Sequence, residues 1–290
     1  MQIPGVGRVS KKVSLTLGDL KKKEFNKYIH THRFKINLTK KLETNKIANF
    51  ELVTFTNSAN FLDFLLSILS FIDANGLPKK WTVYADDEFS PFQKSILATF
   101  NFLIFKNWFE NVSENNVKLY GGKWQFRKYL SFSSHIFTTT TIFLDSDILF
   151  YPLFDIYKDY IVEGNWYLPD PVEAFSIDEE IIGRDNYKRN MYIINSGFIV
   201  LNNIPPWNVG MQYLTECLQN DYVTHFTEQS AINIMYLNDA NAKVLEPRVF
   251  HVSTKDHFTI GFLKTNNLAM RHYVGLIRHK MWQAGWKQFV

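Results

Sequence analysis

Apolar and polar positions change their rhythm near residue 50. Before it, apolar residues hold no sustained period and the lysine clusters 11–12, 21–23 and 40–41 dominate. From Phe50 the run Glu51-Leu52-Val53-Thr54-Phe55-Thr56 reads as a strand, the polar Asn57-Ser58-Ala59-Asn60 as a turn with a helix cap, and residues 61–73 as an amphipathic helix. Gly76-Leu77-Pro78 ends that helix, and residues 81–85 read as a second strand reaching Asp86-Asp87. A strand, helix and strand joined by short connections is a right-handed crossover unit, so the two strands are expected to be parallel neighbours. Ser90 caps and Pro91 opens a further helix to about residue 100, and a short strand is expected around residues 103–105. A helix over residues 123–130 then leads into the most β-prone run of the chain, residues 139–150.

Downstream the pattern predicts a short helix over 152–160, a strand over 161–168 and a polar connection over 170–189 of the length used for lids or acceptor loops. The β-rich run 191–202 is interrupted by Asn195-Ser196-Gly197; a glycine inside a strand marks a bulge or a close approach by another group. Helices are expected over 209–218 and from 224 to 233, a late strand over 244–252, and a tail rich in cations and aromatics over 270–282. The alternation is that of an α/β protein with a nucleotide-binding type of sheet. No Gly-x-Gly-x-x-Gly follows the first strand and no Walker Gly-Lys-Ser/Thr occurs, which argues against a dinucleotide fold and a P-loop.

The chemistry concentrates at Asp145-Ser146-Asp147, where two carboxylates one residue apart end the apolar run. They face one place whether the strand continues or turns, and like charges at that range call for a cation between them. Hard divalent ions such as Mg2+ favour oxygen ligands, so Asp145 and Asp147 are candidate metal ligands that would in turn hold a phosphate. Ligands of open α/β sheets gather at the carboxyl ends of strands, which adds Thr54, Thr56, Asn57 and Ser146 to the candidates. Lys123, Arg127 and Lys128 are cations of the helix over 123–130 that could face a phosphate there or equally form the outer face of that helix.

Composition narrows the class. The 290 residues are 46% hydrophobic, 16% aromatic and 21% charged, a globular profile with room for one large domain. A single cysteine, Cys217, excludes an internal disulfide and a multi-cysteine zinc site and fits a reducing compartment. No run approaches the roughly 20 apolar residues that cross a bilayer, and no secretory h-region opens the chain, so a cytoplasmic location is expected. The net charge of +4 is unevenly spread: through residue 49 there are 12 Lys/Arg against 3 Asp/Glu, leaving 20 against 25 for the rest. We therefore treat 1–49 as a basic segment and 50–290 as the catalytic-type domain. The basic segment reads either as a solvated, loosely held terminus or as a peripheral contact to an anionic membrane; base-stacking aromatics are sparse there, and no nucleic-acid partner is expected.

The order of the motifs resembles a known family. A strand ending in Asp-x-Asp, then Asn195-Ser196-Gly197-Phe198, then Glu228-Gln229-x-x-x-Asn233, then His272-Tyr273-x-Gly275 resembles the GT-A glycosyltransferases, in particular the retaining glycogenin and lipopolysaccharide-galactosyltransferase group. The resemblance spans about residues 50–282. It implies a mixed, mostly parallel central sheet flanked by helices, with Mn2+ or Mg2+ as cofactor, a UDP-sugar as donor and a glycan or glycoconjugate as acceptor. It further implies that Asp145, Asp147 and His272 bind the metal, that Arg278, at the offset of the family's lysine, contacts the diphosphate near Gly275, and that Asn195, Ser196 and Gly197 line the sugar pocket. Glu228 and Gln229 fall where the family has an Asp-Gln pair near the anomeric carbon. The chain departs from the family in having Glu228 for that aspartate and Arg278-His279-Lys280-Met281-Trp282 for the usual Lys-Pro-Trp ending. The competing readings are a non-catalytic nucleotide-sugar-binding protein of the same fold and a nucleotidyltransferase, whose expected glycine- and lysine-rich signature is missing.

Overall fold

A computed structural model describes residues 6–45, 47–151, 163–170, 193–253 and 268–289. The helix expected over 152–160 and the polar connection over 171–189 lie outside the described residues.

The chain opens with two helices, α1 (Val6–Ile29) and α2 (His32–Thr44). β1 (Ile47–Thr56), α3 (Phe61–Asn75) and β2 (Leu77–Ala85) form the expected crossover, and β1 and β2 pair in parallel. The next helix, α4 (Pro91–Leu97), starts as read: the Ser90 hydroxyl accepts from Gln93 N at 3.3 Å while Gln93 Oε1 accepts from Ser90 N at 2.8 Å, a reciprocal cap. β3 (Leu103–Asn107), α5 (Glu114–Tyr120), α6 (Trp124–Ser133) and β4 (Thr141–Leu144) follow. The β-rich run 139–150 is then split. After β4 the chain turns at Asp145-Ser146-Asp147 into β5 (Ile148–Phe150), which belongs to a different sheet. β6 (Asn165–Pro169), β7 (Ile194–Leu201), α7 (Trp207–Gln219), α8 (Thr227–Leu237) and β8 (Ala242–Val244) come next, and the late strand expected over 244–252 is two pieces, β8 and β9 (Phe250–Ser253). β10 (Met270–Tyr273) and α9 (His279–Gln283) complete the elements used below.

The larger sheet has the order β3-β2-β1-β4-β7-β6-β8. Only β7 runs against its neighbours, so the sheet is mixed and mostly parallel, as expected. That topology decides where the site can form. The carboxyl ends of β1, β2, β4 and β6 and the amino end of the reversed β7 all lie on one edge. The smaller sheet, β5-β10-β9, hangs from that edge through the Asp145–Asp147 turn.

Alternation along the strands fills both faces of the large sheet. Ile142, Leu144, Phe198 and Val200 point to one core with α3, while Phe143, Ile199 and Leu201 point to the other with α6, α7 and α8. The first core also takes in the N-terminal helices. Phe25, Ile29, Phe34 and Leu38 are buried in it, and the Phe25 ring lies 5.3 Å from Trp282 and 5.4 Å from Trp286. Buried Asp63 accepts from Lys22 Nζ at 3.0 Å and from the Trp282 indole at 2.8 Å, tying α1, α3 and the tail together. The basic stretch is thus helical and packed rather than loosely held, and the boundary drawn at residue 49 falls inside β1. Among the described residues no helix is long and apolar enough to cross a membrane.

Phe25→Ala should lower the stability of the whole molecule by about 3–5 kcal/mol, read as a shift of the main denaturant transition. An unmoved main transition would mean that α1 is an independent appendage. A second expectation concerns His135, which is buried where α6 ends, with Nδ1 3.1 Å from the Tyr84 hydroxyl. Burial, aided by the Lys80 charge, lowers its pKa from 6.5 to about 4. Between those values the unfolded chain binds the proton and the folded one does not, so stability is full above pH 6.5 and falls as pH drops toward 4. The loss should reach about 3 kcal/mol and be flattened in His135→Gln, as measured by unfolding at stepped pH.

Candidate active site

The turn after β4 makes Asp145 and Asp147 converge. Asp145 N donates to Gly197 O at 2.9 Å, and Tyr273 N donates to Asp147 O at 3.0 Å, so the turn is pinned to β7 on one side and β10 on the other. β10 carries His272 between the two acids: Nε2 lies 3.0 Å from Asp147 Oδ1 and 3.6 Å from Asp145 Oδ2. The other ring nitrogen, Nδ1, lies 2.9 Å from Asn195 Oδ1. That oxygen also accepts from Gly197 N at 2.9 Å, which fixes it as an acceptor and makes Nδ1 the proton donor. Nε2 is then the ring atom that faces the two carboxylates, and that point calls for positive charge, from a proton on the ring or from a cation.

The three groups fit a divalent cation. One ligand atom from each of Asp145, Asp147 and His272 can be chosen so that all lie within 4.8 Å of one another. Two carboxylates with an imidazole are a donor set for a borderline ion such as Mn2+, and the Asn195 hydrogen bond to Nδ1 is the kind of outer contact that orients a metal-binding histidine. Gly197 explains why a glycine interrupts β7: a Cβ there would run into the His272 ring. The residue is both a close approach and part of a bulge, since the pairing of β6 with β7 shifts between Tyr167 and Leu168.

Cations flank the acids. Arg278, at the start of α9, grips Asp147 Oδ2 through Nε at 2.8 Å and Nη2 at 2.7 Å, and its Nη1 donates to Asn60 Oδ1 at 3.2 Å. Burial alone would raise the Asp147 carboxyl, but His272 and Arg278 hold it well below the usual carboxylate range. On the other flank Lys128 of α6 is buried, with Nζ 2.9 Å from Asp145 Oδ1, 3.4 Å from Glu228 Oε1 and 3.4 Å from the Ser196 hydroxyl. Burial disfavours its charge, yet Asp145 and Glu228 together push its pKa up, so it stays cationic. Glu228, at the start of α8, accepts from the Ser196 hydroxyl at 2.9 Å; burial raises its pKa and Lys128 partly offsets this. Gln229 bridges Ser196 N at 3.4 Å and Asp170 Oδ2 at 3.1 Å.

These groups border one cleft of about 780 Å³ on the sheet edge, a size suited to a nucleotide-sugar-like ligand. Thr56, Asn57, Arg127, Ser146 and Gly275 line it as well, with Arg127 held by Asp86 at 2.7 Å. Three expected residues do not line it. Thr54 is fully buried and accepts the Trp81 indole at 2.9 Å, one pleat below the edge. Lys123 caps α6 on the exposed side, and Gly197 lies behind His272.

Sequence reading missed Asn60, Asp86 and Asp170 and the aromatic rim of Trp124, His225 and Phe226, and took Lys128 only as one of the cations of its helix. For Lys128 a signal exists: it shares the i, i+3, i+4, i+7 row with Gln125, Tyr129 and Phe132, all buried.

The fold matches solved glycosyltransferases. The galactosyltransferase LgtC, solved with donor and acceptor sugar analogs, aligns with a TM-score of 0.51 at 16% identity over 82% of this chain and 93% of LgtC. The glycosyltransferase GlyE of Streptococcus pneumoniae gives 0.52 at 14% identity over 83% of this chain, and the bifunctional glycosyltransferase WbbM gives 0.51 at 14% over 79%. This chain spans 62% of GlyE and 46% of WbbM. No family model and no curated protein matches at the level of sequence. The likeness is one of fold, and that fold is the GT-A glycosyltransferase fold expected from the motifs.

Gly197→Ala should displace the His272 ring and weaken Mn2+ binding about tenfold or more, measured by calorimetry on folded protein. Unchanged affinity would remove His272 from the metal site.

Proposed function

We propose that this chain is a metal-dependent glycosyltransferase that moves a hexose from a nucleotide diphosphate sugar, with UDP-glucose or UDP-galactose the first candidates, to a glycan or glycoconjugate acceptor. The observation that carries this reading is the Asp145–Asp147–His272 cluster standing between Arg278 on one side and the Lys128–Glu228–Ser196 group on the other, inside one cleft. Immediately around that cluster Asp145, Asp147 and Glu228 face Arg278 and Lys128, and a divalent ion would reverse the balance at that point of the cleft and attract a diphosphate to it.

Asp145, Asp147 and His272 would hold the ion, which when bound supplies Lewis-acid stabilisation of the departing diphosphate. The protein's own groups do the rest. Arg278 offers a guanidinium fork that binds phosphate oxygens bidentately and meets the charge that builds as the sugar–phosphate bond breaks. Thr56 and Asn57 lie at the end of β1, the place where an α/β sheet receives a nucleotide. Asn195 and Ser196 border the space beside the metal cluster and are assigned to sugar hydroxyls, together with Lys128. Glu228 and Gln229 are the groups assigned to the anomeric carbon. A carboxylate and an amide on that side fit transfer with retention, by a front-face route or a transient nucleophile. The single cysteine, Cys217, is buried, which accords with action in the cytoplasm.

The test is turnover across a panel of nucleotide sugars with and without Mn2+. A UDP-sugar should be hydrolysed or transferred only with the metal, and Asp145→Ala and Asp147→Ala should each lose on the order of a hundredfold or more in rate while circular dichroism stays unchanged. Full activity in either variant would overturn the metal assignment. Metal-dependent binding of nucleotide sugar without turnover of any donor would favour a non-catalytic binding protein.

A further inference from the structure

Helix α1 has two faces with different surroundings. One face is laid against the tail. Gly18 sits so close to His279 that a Cβ would strike its backbone oxygen; the Ser14 hydroxyl lies 3.1 Å from His279 Nε2; and Lys22 and Phe25 engage Asp63 and Trp282. The opposite face carries Val13, Leu17 and Leu20, which are 61%, 44% and 51% exposed. Their i, i+4, i+7 spacing puts them in one row along the helix, and the sequence continues that spacing backward with Val9 and Val6. Lys23 and Lys27 flank the row and are exposed, and Glu24, one turn beyond Leu20, is paired with Lys21 at 3.0 Å. Over its length the helix carries seven Lys/Arg and two Asp/Glu. The first face already secures the helix to the fold, so packing does not account for the exposed row.

We propose that this outer face of α1 is a docking surface for an anionic lipid bilayer. An apolar row bordered by lysines matches the bilayer interface: Val13, Leu17 and Leu20 enter the acyl boundary while the ammonium groups stay at the lipid phosphates. The apolar row covers one side only, so the helix lies along the surface rather than crossing it. Nucleic acid would reward the lysines but leave the apolar row in water. A second copy of this chain would cover the row, but an isologous contact would bring the same surplus of positive charge against itself. Because the inner face grips the segment next to Arg278, a docked helix holds the cleft in a fixed attitude to the membrane.

Sedimentation of the full chain with vesicles of phosphatidylcholine, with and without phosphatidylglycerol, tests this. Binding is expected only when the anionic lipid is present and is expected to weaken with salt. Leu17→Glu and Leu20→Glu should each reduce it about tenfold or more, with unchanged melting since both positions are exposed. Lys23→Glu with Lys27→Glu should also weaken it. Three results would overturn the proposal: no binding to anionic vesicles, binding undiminished in both leucine variants, or a solution dimer that Leu17→Glu dissociates without any vesicle binding. Turnover of nucleotide sugar in vesicle-free solution reads the proposed activity separately, so either idea can fail while the other stands.

Discussion

Two carboxylates cannot share a few ångströms around one imidazole nitrogen without positive charge among them, and the rest of the molecule is arranged around that constraint. The turn after β4 takes the chain out of the large sheet into β5 and makes Asp145 and Asp147 converge. The smaller sheet brings His272 in from the other direction. Asn195 fixes which imidazole nitrogen faces the acids, and Gly197 gives the ring its space. Arg278 and Lys128 then stand on opposite flanks, each bonded to one of the two aspartates. Removing Arg278 leaves the buried Asp147 carboxylate, and removing Asp145 leaves the buried Lys128 ammonium, short of a partner, a situation more costly than the pair itself is favourable.

The second requirement is mechanical. His272 and Arg278 arrive from the last part of the chain, and that tail is secured by the first part: α1 packs on α9, and Asp63 joins Lys22 to Trp282. The Asp145–Asp147–His272 cluster therefore depends on residues more than two hundred positions apart in sequence. This explains why the N-terminal helices share a core with the sheet although their composition sets them apart.

Much of this was legible in the sequence because it follows from local pattern. The crossover unit from β1 to β2 announces itself through its caps and its apolar period, and the Asp-x-Asp pair and the His272-to-Arg278 spacing mark groups that the fold then brings together. What was not legible depends on depth and long-range packing. Thr54 and Thr56 point to the same face of β1, but only the second reaches the edge; the first is covered by Trp81 from the neighbouring strand. Lys128 lies on a buried helical row with Gln125, Tyr129 and Phe132, where a lysine looks like an exception until the two acids that neutralise it are seen. Phe25 and Ile29, then Phe34 and Leu38, make two short apolar steps separated by a helix break, each too brief among the lysines to stand out as a period.

Whether Asp145, Asp147 and His272 form one cation site is decided by anomalous diffraction from crystals grown with Mn2+ and UDP. A single strong peak is expected within bonding distance of one oxygen from each aspartate and of His272 Nε2, with the diphosphate on the Arg278 side. A nucleotide bound in the cleft with no peak there, and with His272 still hydrogen-bonded to Asp147, would contradict it.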